Sequence, residues 1–165
     1  MNFLMPLKKQ HSLSELKELI AGLRRAGKTV ALANGCFDLI HVGHIRYLQA
    51  AKKEADVLVV AINSDNSLRE LKGNKRGFFS EQERALMIAG LHCVDYVILF
   101  DEPTVASVLI ALRPDYHCKG TDYTPETVPE RDVVASYGGS IRIVGPSRVN
   151  STTGIIQAIS GLKIK

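Results

Sequence analysis

Only three cysteines occur, Cys36, Cys93 and Cys118, an odd number set in apolar or strand-like runs. That excludes a disulfide framework and makes a reducing cytoplasm the expected setting. No window approaches the ~18 continuous apolar residues of a membrane span. The opening residues, MNFLMPLKKQHS, lack an apolar stretch followed by a small-residue cleavage site, so no secretory signal is read there. Internal repeats and low-complexity stretches are missing, and no linker is long enough to divide the chain. Charge of one sign is scarce too. Lys plus Arg number 21 and Asp plus Glu 17, a net +4 that is too weak and scattered to call for nucleic acid. What is present is 165 residues, 45% of them hydrophobic, enough for one ordinary domain with a buried core.

Apolar periodicity divides the chain into alternating elements. Residues 12–26 read as a surface helix opened by a Ser12–Glu15 capping box, with Leu13, Leu16, Leu19, Ile20 and Leu23 on one face. Strands are expected at 28–34, 57–62, 96–100, 116–119 and 141–144, and helices at about 43–54, 64–71, 80–91, 104–112, 129–137 and 152–159. Ser80 and Glu83 form a second capping box. The run VLVVAI at 57–62 is apolar throughout, as in a parallel strand covered on both faces. Short Val/Ile-rich strands alternating with helices predict an α/β fold, a doubly wound, mostly parallel five-stranded sheet. Ligands in such sheets bind beyond the carboxyl ends of the strands, where the winding reverses. The loops after the strands are therefore where function is sought.

The first strand-to-helix turn, Asn34-Gly-Cys-Phe-Asp-Leu-Ile-His-Val-Gly-His44, holds most of the information. Gly35 permits close backbone approach. His41 and His44 are three apart and share one face of a starting helix. Gly43 between them leaves no side chain in the way of a phosphate. A helix N-terminus adds unpaired N–H groups and a positive dipole end. Two imidazoles, bare backbone and a helix start suit a polyphosphate whose charge grows during reaction. Zinc would want further Cys or His ligands. The segment is neither a Walker loop nor a dinucleotide fingerprint.

Four later segments fit the same end of the sheet. Lys72-Gly-Asn-Lys75-Arg76 is a basic loop able to close over anions, although a solvated surface loop has the same composition. Arg84 lies in the first turn of a helix, where a cation is mildly disfavoured, which hints at a task. Lys119-Gly120-Thr121-Asp122-Tyr123 follows the fourth strand, as a ligand loop or an Asx-type turn. Ser151-Thr152-Thr153-Gly154 opens the last helix, with hydroxyls placed for phosphate or for plain capping.

The string Gly35-x-Phe37-Asp38-x-x-His41-x-Gly43-His44 resembles the signature of the cytidylyltransferase-like nucleotidyltransferases. Together with AINSDNSLRELKG, VDYVILFDEPT, KGTDYTPE and STTGII, in that order, it is similar to the adenylyltransferase domain of bacterial ADP-heptose synthases. That domain also occurs alone, as D-glycero-β-D-manno-heptose 1-phosphate adenylyltransferase. The likeness covers about residues 28–160, which leaves 1–27 as an N-terminal helical extension to a domain at 28–165. The KG-x-DY segment argues against relatives acting on glycerol phosphate, where a GDD-type segment is expected. The chain departs from the pattern at Thr121, where a second glycine is usual, at Arg76-Gly77, where Arg-Pro is usual, and at Arg148-Val149-Asn150, which lacks a Glu-Gly.

The resemblance implies adenylyl transfer from ATP to a sugar 1-phosphate, with Mg²⁺ accompanying the nucleotide and no dedicated metal site in the protein. It implies His41, His44 and Lys72 as catalytic residues. Nucleotide and phosphate contacts then fall to Gly35, Cys36, Phe37, Gly43, Arg84, Lys119, Gly120, Asp122, Ser151, Thr152 and Thr153. Asp38, Lys75 and Arg76 would hold the sugar phosphate. A homodimer and a separate upstream sugar kinase follow by the same analogy, with neither nucleic acid nor membrane as a partner. Other readings of these residues are a cytidylyltransferase acting on a polyol or amino-alcohol phosphate and a nucleotide-binding sensor that does no chemistry. A synthetase-like fragment fits poorly, since the chain is too short for an anticodon module and lacks a basic stripe.

Overall fold

The computed structural model describes residues 8–72, 77–146 and 152–160. Within them the elements run α1 (Leu13–Arg25), β1 (Val30–Gly35), α2 (Val42–Lys52), β2 (Val57–Asn63), α3 (Asp65–Lys72) and α4 (Glu81–Ala89). They continue with β3 (Tyr96–Phe100), α5 (Ala106–Leu112), β4 (Tyr116–Lys119), α6 (Arg131–Ser136), β5 (Ser140–Ile143) and α7 (Thr152–Ser160). Both capping boxes form: the Ser12 hydroxyl accepts the Glu15 N–H and the Ser80 hydroxyl that of Glu83, while each glutamate accepts the serine's own N–H.

All strand pairs are parallel, in the order β3-β2-β1-β4-β5. The chain winds outward from β1 through β2 to β3, then returns to place β4 on the other side of β1. The reversal therefore lies between β1 and β4, and it opens a crevice beyond their carboxyl ends. β2 is buried at all seven positions, as its unbroken apolar run predicts.

Side-chain alternation sends the two faces of the sheet into two cores. Ala31, Ala33, Leu58, Val60 and Ile62 pack with Leu48 and Ala51 of α2 and with Ala85 and Ile88 of α4. Val30, Leu32, Val59, Ala61 and Ile98 pack with Leu16 and Ile20 of α1, with Val108, Leu109 and Leu112 of α5 and with Val134 of α6. Helix α1 is thus seated on the sheet beside α5. Ahead of it, Val97 of β3 receives the His11 N–H at its carbonyl and donates its own N–H to the Lys9 carbonyl. At the opposite rim β5 is only half covered, with Ser140 and Arg142 exposed.

Candidate active site

The turn after β1 is held in a costly shape. A Cβ on Gly35 would meet the ring of Phe37 at 3.1 Å, so a larger residue there would press on that ring and glycine lets it lie close. Phe37 itself has φ of 50°. A non-glycine residue in the left-handed region costs about 1–3 kcal/mol. Burial of its ring in the core offsets this, and the ring meets His44 edge-on with centroids 5.2 Å apart. Phe37 therefore shapes the turn and backs His44, with its ring facing inward.

His41 caps α2 in an extended conformation, and its Nδ1 accepts the Gly43 N–H at 3.1 Å. A ring nitrogen that accepts bears no proton, so in the neutral ring the proton is on Nε2, which becomes a donor. The His41 and His44 rings stack with centroids 3.9 Å apart and planes inclined by 23°. The three-residue spacing thus yields a paired imidazole unit at the first turn of a helix. Gly43 contributes its lack of a side chain, while its N–H is engaged in the cap.

Two of the expected ligand residues fasten the chain around the turn. Arg84 is fully buried. Its Nη1 donates to the Cys36 carbonyl at 2.7 Å and the Asn63 carbonyl at 2.8 Å, Nη2 to Asp65 at 2.8 Å and Nε to the Phe79 carbonyl at 3.2 Å. Its guanidinium ties the ends of β1 and β2 to the start of α3 and to the segment leaving the basic loop. Asp38 is buried as well, and its Oδ1 accepts the Phe78 N–H at 2.8 Å and the Phe79 N–H at 3.3 Å. Through that oxygen it anchors the same segment. Cys36 is half-buried, with its thiol directed at Asn63 Oδ1, 3.6 Å away.

Across the crevice stands a polar cluster at the end of β4. Lys119 donates to Asn34 Oδ1 at 3.0 Å and pairs with Glu130 at 3.3 Å. His117 is fully buried, and burial, reinforced by the Lys119 ammonium, pushes its pKa down to about 3. The neutral ring donates from Nε2 to the same Asn34 oxygen at 3.2 Å. The Tyr47 hydroxyl of α2 donates to the Cys118 carbonyl at 2.7 Å, and burial raises its pKa well above the usual phenol value, so it remains a donor. Tyr47 and Asn34 thereby fix the histidine-bearing helix and the β1 end to β4. Beyond Lys119, the Asp122 carboxylate folds back to within 2.7 Å of where a Gly120 Cβ would stand. Thr121 donates to the Pro146 carbonyl at 2.9 Å.

The structure therefore brings together Gly35, Cys36, Phe37, Asp38, His41, Gly43 and His44 on one side of the switch point and Lys119, Gly120 and Asp122 on the other. Lys72 ends α3, with its side chain outside the described residues. Lys75, Arg76 and Ser151 lie outside them altogether, and Thr152 and Thr153 open α7 with side chains outside them. Asn34, His117 and Glu130 escaped the sequence reading. A polar residue closing an apolar strand signals the first, and a histidine inside a buried strand signals the second. Glu130 sits in an irregular segment and gave no signal.

The comparisons with known proteins agree with this geometry. A family model described as cytidylyltransferase-like matches residues 32–164. The chain belongs to that family. The match takes in β1 from Leu32 onward, the four other strands, the His41–His44 turn and the Lys119–Asp122 turn. The bifunctional protein HldE of Syntrophotalea carbinolica is 51% identical over 144 residues, covering 87% of this chain and 29% of the relative. The bifunctional protein HldE of Geobacter metallireducens is 49% identical over 158 residues, covering 91% and 32%. The chain thus spans about a third of the length of these curated relatives. Among solved structures, the lipopolysaccharide core biosynthesis protein of Thermoplasma volcanium is 31% identical with a TM-score of 0.61, covering 75% of this chain and all of that one.

Proposed function

We propose that this chain transfers AMP from ATP to D-glycero-β-D-manno-heptose 1-phosphate, giving ADP-heptose and pyrophosphate for surface-glycan synthesis. The observation that carries the reaction class is the stacked His41–His44 pair at the start of α2, in the crevice where the sheet reverses. The acceptor rests on the KG-x-DY and STT segments, on half-identity to the HldE proteins and on the lipopolysaccharide role named for the solved relative.

In this reading an oxygen of the sugar phosphate attacks the α-phosphorus of ATP. A new P–O bond forms, the bond to the bridging oxygen breaks, and pyrophosphate departs with the electron pair. A phosphate monoester loses its second proton near pH ~6, so the nucleophile is already charged and needs no general base. The work left for the protein is alignment and stabilisation of growing charge. His41, through its Nε2 proton, and His44 act at the α- and β-phosphates. Lys72, supported by Lys75 or Arg76, meets the leaving pyrophosphate or the sugar phosphate. Ser151, Thr152 and Thr153 receive the β- and γ-phosphates, and Gly120 and Asp122 border the nucleoside. Imidazole and backbone N–H donors are poor magnesium ligands, so Mg²⁺ enters as part of the nucleotide substrate. A cytoplasmic homodimer, with its heptose 1-phosphate made by a sugar kinase activity, completes the proposal.

The test is pyrophosphate release with ATP and CTP, each crossed with heptose 1-phosphate and with glycerol 3-phosphate. ATP with the heptose is expected to dominate. Faster turnover of CTP with the polyol phosphate would reassign the chain, and ATP binding with no turnover on any acceptor would make it a sensor.

A further inference from the structure

We infer that Lys119 is a positioning residue and not a phosphate ligand, and that Glu130 is the counter-charge that makes it one. The pair closes the excursion between β4 and α6 and sets the nucleoside-side wall of the crevice. This rests on the nucleotide-binding reading above and refines it.

The ammonium faces into the wall. Lys119 and Glu130 are only 7% and 5% exposed, and no other ion pair among the described residues has both side chains so enclosed. Around the Lys119 nitrogen stand the Asn34 amide oxygen at 3.0 Å, the Glu130 carboxylate at 3.3 Å and the ring of Tyr123 at 5.1 Å. The amide accepts one ammonium proton, the carboxylate is held as a charge partner without hydrogen-bond geometry, and the aromatic face completes the surroundings of the buried cation. A lysine that grips phosphate presents its charge to the ligand, whereas this one is neutralised by an acid of its own chain.

The location gives the pair its consequence. Lys119 begins the segment that carries Gly120, Asp122 and Tyr123, and Glu130 ends it. The Glu130 carbonyl also accepts the Val134 N–H of α6 at 2.9 Å. The segment is thus pinned at both ends, and Asn34 ties its first end to β1. Removing one member of such a pair leaves an uncompensated buried charge, while removing both does not.

A double-variant cycle separates positioning from direct contact. Binding of ATP with Mg²⁺ is measured by calorimetry for the full chain, Glu130→Gln, Lys119→Met and the double variant. The reading does not depend on the acceptor, so a wrong sugar leaves it intact. Each single change is expected to weaken binding by about tenfold, as for contacting, coupled pairs, with the double variant tighter than Lys119→Met. In turnover, Glu130→Gln should raise the KM for ATP more than it lowers kcat. Wild-type or tighter binding by Glu130→Gln, or a double variant no better than Lys119→Met, overturns the inference. Should Glu130→Gln not fold, Glu130→Asp replaces it: an intermediate affinity supports positioning and an unchanged one overturns it.

Discussion

At the amino end of the sheet an aspartate stands just ahead of each of three strands, Asp56 before β2, Asp95 before β3 and Asp115 before β4. Asp56 accepts the Thr29 N–H at 3.0 Å, Asp95 the Leu58 N–H at 2.7 Å and Asp115 the Val30 N–H at 2.8 Å. Lys28 and Lys52 pair with two of these carboxylates. Charges there are solvated and partnered. The carboxyl end has a left-handed Phe37 and a buried Lys119–Glu130 pair. The buried atoms Asp38 Oδ2 and His117 Nδ1 also have no hydrogen-bond partner among the described residues. Left-handed backbone occurs at both ends, at Arg113 ahead of β4 and at Phe37 after β1, so what sets the carboxyl end apart is its enclosed charged pair.

Substitutions at the two ends should separate catalysis from stability. The largest effect is expected for His44→Ala, with kcat falling by about 10²–10³ and the urea midpoint unchanged. Near-normal turnover by that variant would remove the imidazole pair from the chemistry. At the other end, Asp95→Ala strands the Leu58 N–H and leaves the Lys52 ammonium with the Asp56 carbonyl alone. Stability should drop by about 1–3 kcal/mol in urea titration, with kcat retained. A kinetic defect there would break the division of labour.

The smallest effect concerns acid. Hydrogen bonds from the Thr29 N–H, Lys28 and the Thr29 hydroxyl hold the Asp56 pKa down to about 2, against an ordinary 3.8. A depressed carboxyl stabilises the fold above its unfolded value and ceases to do so as pH falls through its folded one. The contribution should therefore be full above about pH 4 and fade towards pH 2, and Asp56→Asn should flatten that part of the midpoint-against-pH curve.

Much of this architecture was readable before any coordinates. The apolar runs located all five strands, and β3 and β4 match the expected bounds. Ser12–Glu15 and Ser80–Glu83 marked two helix starts because capping is local chemistry. The histidine spacing exposed the paired rings for the same reason. Strand order was not readable, since β1 can take either neighbour with the same side chains. The bonds of Arg84 were hidden because its partners are mostly backbone carbonyls, which leave no trace in composition. The left-handed Phe37 was hidden too: a buried aromatic is ordinary, and its conformation comes from how Gly35 and His44 receive the ring.

The short pairing of Lys9 and His11 with Val97 has a consequence for behaviour in solution. An open parallel sheet ends in rows of hungry amides and carbonyls that template aggregation. Here the β3 margin is hemmed at Val97, while the β5 margin carries the exposed Arg142, which is paired with Glu54. Hemmed at Val97 on one side and charged on the other, the sheet offers a second molecule no long bare apolar edge to extend.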